Sequence, residues 1–294
     1  MQVLVLYATV VLIWGSTWAA IPYQLGVVAE ELSVSYRFGL GSLILFVYAV
    51  ISGRQLRIPR KIYPFVLIMG AMMFSAGYLF IYYGTAYITS GLVAVVFSFI
   101  VVSNAFYERI FFSTRIESRM LLATALGVAG MALMFWPEVS AFSFQDETIT
   151  GVLLILTSVL LGSFGTMAAI VCTRQQLPVV TVNAHAMAWG SLTSFTVAMI
   201  LGRPINFSFE PSYLISLAYL SIFGSAVAFG CFLALLRLIG SARAAYTSVL
   251  FPIVALLIST LFEDYRWSVP AFAGIALIVS GNWLALTKTG KKHE

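Results

Sequence analysis

The sequence predicts an all-α integral membrane protein, with ten transmembrane helices in two inverted five-helix repeats around a central cavity. Three observations lead there: a composition too apolar for water, apolar runs of about twenty residues, and a weak internal repeat holding an odd number of spans. Of the 294 residues, 61% are hydrophobic and 9% charged, and the mean hydropathy is +0.99. A soluble domain carries about 25% charged residues, so this chain lacks the polar surface to face water. Transmembrane β-barrels alternate apolar and polar residues in short segments; the runs here are continuous, which selects helices.

Charge or Pro/Gly clusters delimit the spans in order. Span 1, 3–22, runs to Pro22, and span 2, 32–52, lies between the acidic pair Glu30–Glu31 and Gly53–Arg54. Span 3, 64–83, follows Arg60–Lys61 and Pro64; span 4, 89–107, closes at Glu108–Arg109. Span 5, 118–136, lies between Arg115 and Pro137, and span 6, 150–172, between Glu147 and Arg174. Span 7, 179–201, begins after Pro178 and stops at Gly202–Arg203; span 8, 213–236, runs from Pro211 to Arg237. Spans 9 and 10, 243–262 and 268–287, flank the polar segment Glu263–Arg266. The N-terminal MQVLVLY has no basic n-region, so the first run is expected to be a true span and not a cleaved signal. Cys172 and Cys231 lie in apolar runs and read as small buried hydrophobes.

Basic residues fix the orientation. Thirteen of the sixteen Lys and Arg fall on the side of the N-terminus, and three, Arg37, Arg203 and Arg266, fall on the other. The positive-inside rule therefore puts both termini in the cytoplasm. The net charge of +5 is membrane anchoring rather than nucleic-acid binding, and the tail KTGKKHE is expected against anionic headgroups.

The two halves, 1–138 and 150–287, resemble each other. Gly15–Ser16 matches Gly162–Ser163 at an offset of 147; Ser90 and Ala94 match Ser241 and Ala245 at 151. ATALGVAGMAL (123–133) matches GIALIVSGNWL (274–284) at the same offset of 151. Five spans per copy invert the second copy in the bilayer, an architecture that places a binding site near the midplane between the halves.

These residues carry a resemblance. The WGS of span 1, the segment YITSGLVAVVFSF…YERIFF followed by GVAGMALMF, and the later IGSARAAYTSVLFPIVALL…FED followed by GIALIVSGNWLAL are similar to the two EamA-type repeats of the drug/metabolite transporter superfamily. The resemblance covers nearly the whole chain. It implies a central cavity worked by alternating access, and export of amino acids, including an aromatic and hydrophobic amino-acid branch; related branches carry nucleotide sugars or sugar phosphates. Two departures stand out. Pro252 breaks span 9 where span 4 has Val101, and span 4 reads about one turn shorter than span 9.

Trp14 and Trp18 share a helix face, as do Tyr78 and Tyr82. Indoles and phenols normally concentrate at membrane interfaces; within spans their polar tips need partners. With Ser16, Ser98, Ser163, Tyr246 and Ser248 they are the candidate lining of a cavity for a flat apolar body with a small polar head. The stripes Ala125/Ala129 and Ala276/Ser280 read as helix–helix contacts. Ionisable groups inside spans are functional suspects. Arg37 either snorkels to Glu30 and Glu31 or attracts a substrate carboxylate. His185 is either a proton relay or a histidine bonded to a neighbouring helix. Glu108 and Glu263, at the ends of spans 4 and 9, suit a helix-end or gating role, as does Pro252.

No Asp or Glu falls near the middle of a span, which favours facilitated diffusion or exchange over ion coupling. No cofactor or metal site is expected. The sequence lacks HExxH, and GSFG at 162–165 has the wrong order for a rhomboid-type nucleophile, so an intramembrane enzyme is a distant alternative. A drug carrier, or a nucleotide-sugar or sugar-phosphate carrier, is the nearer one, although phosphates call for clustered cations. The expected partners are a small-molecule substrate and the lipid bilayer, most simply a bacterial inner membrane, and a monomer suffices.

Overall fold

The computed structural model describes residues 1–88, 90–115, 117–136, 140, 146–262 and 267–287. Among the described residues the architecture is all-helical. Without water in the bilayer core each backbone amide must be satisfied within its own segment, and the ten apolar runs do so as helices. They are α1 (Gln2–Gln24, its last four residues 3₁₀), α2 (Glu30–Ile51), α3 (Tyr63–Thr85), α4 (Ser90–Phe97 and Ile100–Phe112) and α5 (Ser118–Met134). The second half repeats the set: α6 (Asp146–Arg174), α7 (Val179–Ile200), α8 (Pro211–Ile239), α9 (Ser241–Ala245, Tyr246–Leu250 and Phe251–Phe262) and α10 (Val269–Leu286). Eight helices are long and apolar enough to cross a membrane; α5 is shorter. The more polar α7, bearing Asn183, His185 and several hydroxyls, packs along most of its length on α2.

The packing is symmetric under exchange of the halves. Two of the most extensive helix pairs, α2–α7 and α5–α10, each set a helix against its own counterpart. The remaining large contacts come in matched pairs: α3–α6 with α8–α1, α3–α7 with α8–α2, and α4–α6 with α9–α1. Local irregularities match too. A π-helical turn interrupts α3 at Met72–Ala76 and α8 at Leu220–Val227. In α4 the α-helix is interrupted at residues 98–99, and in α9 at the 3₁₀ turn Tyr246–Leu250.

These breaks correct two expectations. Val101 is the second residue of its helix after the break, as Pro252 is in α9, so the break does not depend on the proline. Span 4 does not stop at Glu108, because α4 continues to Phe112; the Glu263 end of span 9 lies outside the described residues. Glu108 therefore lies one turn inside α4 instead of ending it.

Association in lipid rests on close van der Waals approach and side-chain hydrogen bonds. In the α5–α10 pair a Cβ on Gly130 would lie 2.6 Å from the Gly274 carbonyl oxygen, and one on Gly281 would lie 2.7 Å from that of Ala123. At the offset of 151 these are one contact seen from each half. The predicted stripes Ala125/Ala129 and Ala276/Ser280 are exposed; the buried stripe is Ala123, Gly127 and Gly130 against Gly274, Ile278 and Gly281. The α2–α7 pair is held by hydroxyls: Ser35 Oγ donates to the Ser191 carbonyl at 3.0 Å, Ser191 Oγ to that of Ser35 at 2.8 Å, and Ser42 Oγ to that of Ala184 at 2.8 Å.

Candidate functional site: a central aromatic cavity

Between the halves lies a cavity of about 100 Å³. It is walled by α1–α4 from one half and α6, α8 and α9 from the other; α5 and α10 take no part in it. From α1 come Trp14, Thr17, Trp18 and Ile21; from α3, Met73, Gly77, Tyr78 and Ile81; and from α8, Phe229 and Phe232. Ser158, Gly162 and Thr166 supply a stripe of α6, and Phe97, Ile100 and Asn104 a stripe of α4. Thr247, Ser248 and Phe251 come from the broken part of α9, and Arg37 from α2.

The aromatic wall is one interlocked set. The Trp14 ring meets Phe229 edge-on at 4.7 Å and Phe251 at 5.7 Å; Tyr78 packs edge-on against Phe38 at 4.8 Å, and Trp18 against Phe97 at 6.1 Å. The π-turn of α8 anchors it. Such a turn interrupts the regular i−4 ladder and is frequent at functional sites. Here Gly224 and Ser225 within the turn each take a side-chain donor: Trp14 Nε1 donates to the Gly224 carbonyl at 2.9 Å, and Arg37 Nε to Ser225 Oγ at 3.1 Å. The sequence thus places an irregular turn where the indole and the guanidinium need acceptors.

Arg37 is 1% exposed. Its guanidinium lies 4.6 Å from the centroid of Tyr78 and 5.3 Å from that of Phe38, within cation–π range. Among the described residues its Nη1 has no hydrogen-bond partner and no carboxylate lines the cavity. The snorkelling expectation is therefore corrected. Glu31 pairs instead with Arg203, Nε to Oε1 3.3 Å, and accepts a hydrogen bond from the Tyr83 hydroxyl at 2.5 Å. The Glu31 charge holds the Arg203 guanidinium above its usual pKa. Asn104 is the second unsatisfied group: it is fully buried, and neither amide atom has a partner among the described residues.

Of the residues singled out in the sequence, the cavity brings together Trp14, Trp18, Tyr78, Ser248 and Arg37. Ser16 turns aside and bonds the Tyr219 hydroxyl at 2.6 Å. Tyr82 and Ser163 are fully buried behind the wall. Ser98 donates to the Val95 carbonyl at the break in α4, and the Tyr246 carbonyl accepts from Asn282 Nδ2 at 3.3 Å in the α9–α10 contact. His185 bonds the Leu56 carbonyl at 3.0 Å between the Phe46 and Tyr63 rings. Glu108 lines a separate polar recess of about 260 Å³ with Arg115, Glu117, Ser241 and Arg243, on the face of the N-terminus. Pro252 is the second residue of the last piece of α9, and Glu263 lies outside the described residues. Sequence reasoning passed over Asn104, Thr166, Phe229 and Phe232; the one signal available was a lone amide within an apolar span. No group of three or more His, Cys, Asp or Glu is placed to hold a metal among the described residues.

Comparison with known proteins agrees with this architecture. The chain is 24% identical over 295 residues to an uncharacterized transporter of Archaeoglobus fulgidus, covering 97% of this chain and 98% of that one. It is 20% identical to protein PagO of Salmonella typhimurium, over 96% of this chain and 92% of that protein. It is 24% identical to the uncharacterized inner membrane transporter YedA of Escherichia coli K12, over 85% and 79%. A solved crystal structure superposes with a TM-score of 0.79 at 19% identity, covering 96% of this chain and 95% of that one. The profile of the EamA-like transporter family matches residues 1–136 and again 149–287. An integral membrane protein with a walled central cavity and this twofold match is a transporter, and the chain belongs to the EamA-like family.

Proposed function

We propose that this transporter exports small amphipathic metabolites bearing one carboxylate, above all aromatic and large apolar amino acids, by alternating access of the two repeats 1–138 and 150–287. The supporting observation is Arg37, a buried guanidinium with a free Nη1 in the wall of an aromatic cavity. A buried charge without a counter-charge carries a desolvation penalty of several kcal/mol, and a carboxylate offsets it through charge-assisted hydrogen bonds. The rings of Trp14, Tyr78 and Phe229 receive the apolar body. One cation suits one carboxylate and falls short of the cluster that a phosphate calls for; Arg243 faces the separate recess.

Coupling to protons or sodium through cavity carboxylates has no residue to act on among the described lining, which favours an uncoupled facilitator or exchanger. The basic face is cytoplasmic, both termini with it, in a bacterial inner membrane, and a monomer is complete. Export is the direction the family resemblance implies.

The test is uptake of labelled phenylalanine into proteoliposomes, competed by tryptophan, methionine, alanine and a nucleotide sugar, with and without a pH gradient. Saturable uptake, blocked by tryptophan and indifferent to the gradient, is expected. Competition by the nucleotide sugar alone would replace this reading with the phosphate-carrier one, and gradient-driven accumulation would overturn the uncoupled mechanism.

A further inference from the structure

The cavity wall holds two buried side chains with unpartnered polar atoms, Nη1 of Arg37 and both amide atoms of Asn104, and they stand on different helices at different depths. Arg37 lies seven residues along α2 from its Glu30 end, about 10 Å by helical rise. Asn104 lies eight residues from the Phe112 end of α4, about 12 Å from the opposite face. Across a hydrocarbon core of about 30 Å the two levels are separated by roughly 8 Å. The wall around them is aromatic, with Trp14, Phe229, Phe232 and Phe251.

We infer that Asn104 is the second anchor of the substrate site and selects substrates with a hydrogen-bonding group at the end remote from the carboxylate. This rests on the reading that Arg37 takes the carboxylate. Nearly all buried polar atoms in native structures have a partner, and an amide leaves both a donor and an acceptor to be satisfied. Here Nδ2 and Oδ1 are both unpartnered and the residue lines the cavity. A phenolic hydroxyl answers both at once, its proton going to Oδ1 while its oxygen accepts from Nδ2. Thr247 and Ser248 also line the cavity, but Thr247 donates to the Ala244 carbonyl and Ser248 to that of Ala245, each at 2.8 Å. Their protons are engaged within α9, whereas both amide atoms of Asn104 stand without a partner. The predicted ligand class is an aromatic acid with a distal hydroxyl, so tyrosine is preferred over phenylalanine. The physical basis of the preference is that a site built around a polar partner rejects the analogue that leaves this partner buried and bare.

The experiment is equilibrium binding to the purified full chain in detergent, using tyrosine, phenylalanine, 3-(4-hydroxyphenyl)propionate and 3-phenylpropionate. The unmodified protein is expected to bind each hydroxylated ligand at least about tenfold more tightly than its partner. Asn104→Leu is expected to bring both ratios near one by weakening the hydroxylated ligands while phenylalanine binding is retained, which also shows that the variant is folded. Asn104→Gln is expected to restore part of the preference. Ratios near one in the unmodified protein, or ratios unchanged by Asn104→Leu, overturn the inference. A hydroxyl preference seen only with the two propionates supports Asn104 and overturns the amino-acid reading. Binding of none of the four overturns both.

Discussion

Arg37 is held from three directions, by Ser225 on its Nε and by the Tyr78 and Phe38 rings, and faces the cavity with what remains. Those contacts fix the guanidinium plane but leave its charge uncompensated, so substrate binding and stability respond differently to its removal. Arg37→Gln is expected to weaken carboxylate ligands by about a hundredfold, since the charge-assisted hydrogen bond from Nη1 is lost. The same change is expected to leave the melting temperature of the ligand-free protein equal or higher, because an unpaired buried charge is removed. Arg37→Lys keeps the charge but loses the Nε bond to Ser225 and the planar stacking, and is expected to bind at an intermediate level. Ligand titration paired with thermal unfolding checks this: normal binding by Arg37→Gln would return Arg37 to a packing role. Neighbouring residues show how narrow the cavity-facing stripe is. Thr17 lines it and Ser16 does not; Gly162 lines it and Ser163 does not. One step along a helix turns a side chain by about 100°, enough to move it from the cavity to a helix contact.

At the level of helices, the spans were legible because lipid imposes a length and a hydropathy; the ten apolar runs match the observed helices to within about five residues at each end, and eight of those helices meet both demands. The faces were not legible. In a soluble helix water and core differ in polarity, so periodicity reports the buried side; in a membrane helix lipid and protein are equally apolar, and periodicity is silent. That is why the small-residue stripe of α5 was placed on Ala125 and Ala129, which are exposed, and not on Ala123, Gly127 and Gly130. The offset of 151 relates the two close approaches, Gly130 on Gly274 and Gly281 on Ala123, but it pairs the exposed Ala125 with Ala276 equally and does not select the face. The π-turns of α3 and α8 carry no proline and left no mark in the sequence, so the anchoring of Trp14 and Arg37 could not be read from it. The face assignment is checked by a matched pair of substitutions. Gly130→Leu drives a side chain into the Gly274 backbone and is expected to destabilise the protein by about 2 kcal/mol or more. Ala125→Leu, of the same size but toward lipid, is expected to change stability by less than about 0.5 kcal/mol. Thermal unfolding of the two in one detergent decides it: equal losses would mean that α5 is rotated from the position described.

For the whole molecule, the proposed alternating access requires contacts between the halves that part during the cycle, and the face opposite the termini offers a defined set. Gln24 Nε2, at the end of α1, donates to Ser216 Oγ of α8 at 2.6 Å and to the Tyr213 carbonyl at 3.2 Å; the Tyr213 hydroxyl meets Ser33 Oγ of α2 at 3.1 Å. Arg203 reaches across to Glu31, which also binds Tyr83 of α3. Each contact joins residues from different repeats except the last, and Gln24 and Tyr213 are fully buried. Hydrogen bonds of this kind contribute about 1 kcal/mol each, few enough in sum to open on the timescale of domain rocking. Rocking of one repeat against the other about a fixed site must separate Gln24 from Ser216 whenever this face opens. With Cys172 and Cys231 replaced by Ala, the pair Gln24→Cys and Ser216→Cys is expected to support uptake when reduced. Oxidation is expected to slow uptake at least tenfold, and a reductant to restore it. Undiminished uptake by protein shown by mass to be cross-linked would mean that this contact stays closed throughout the cycle.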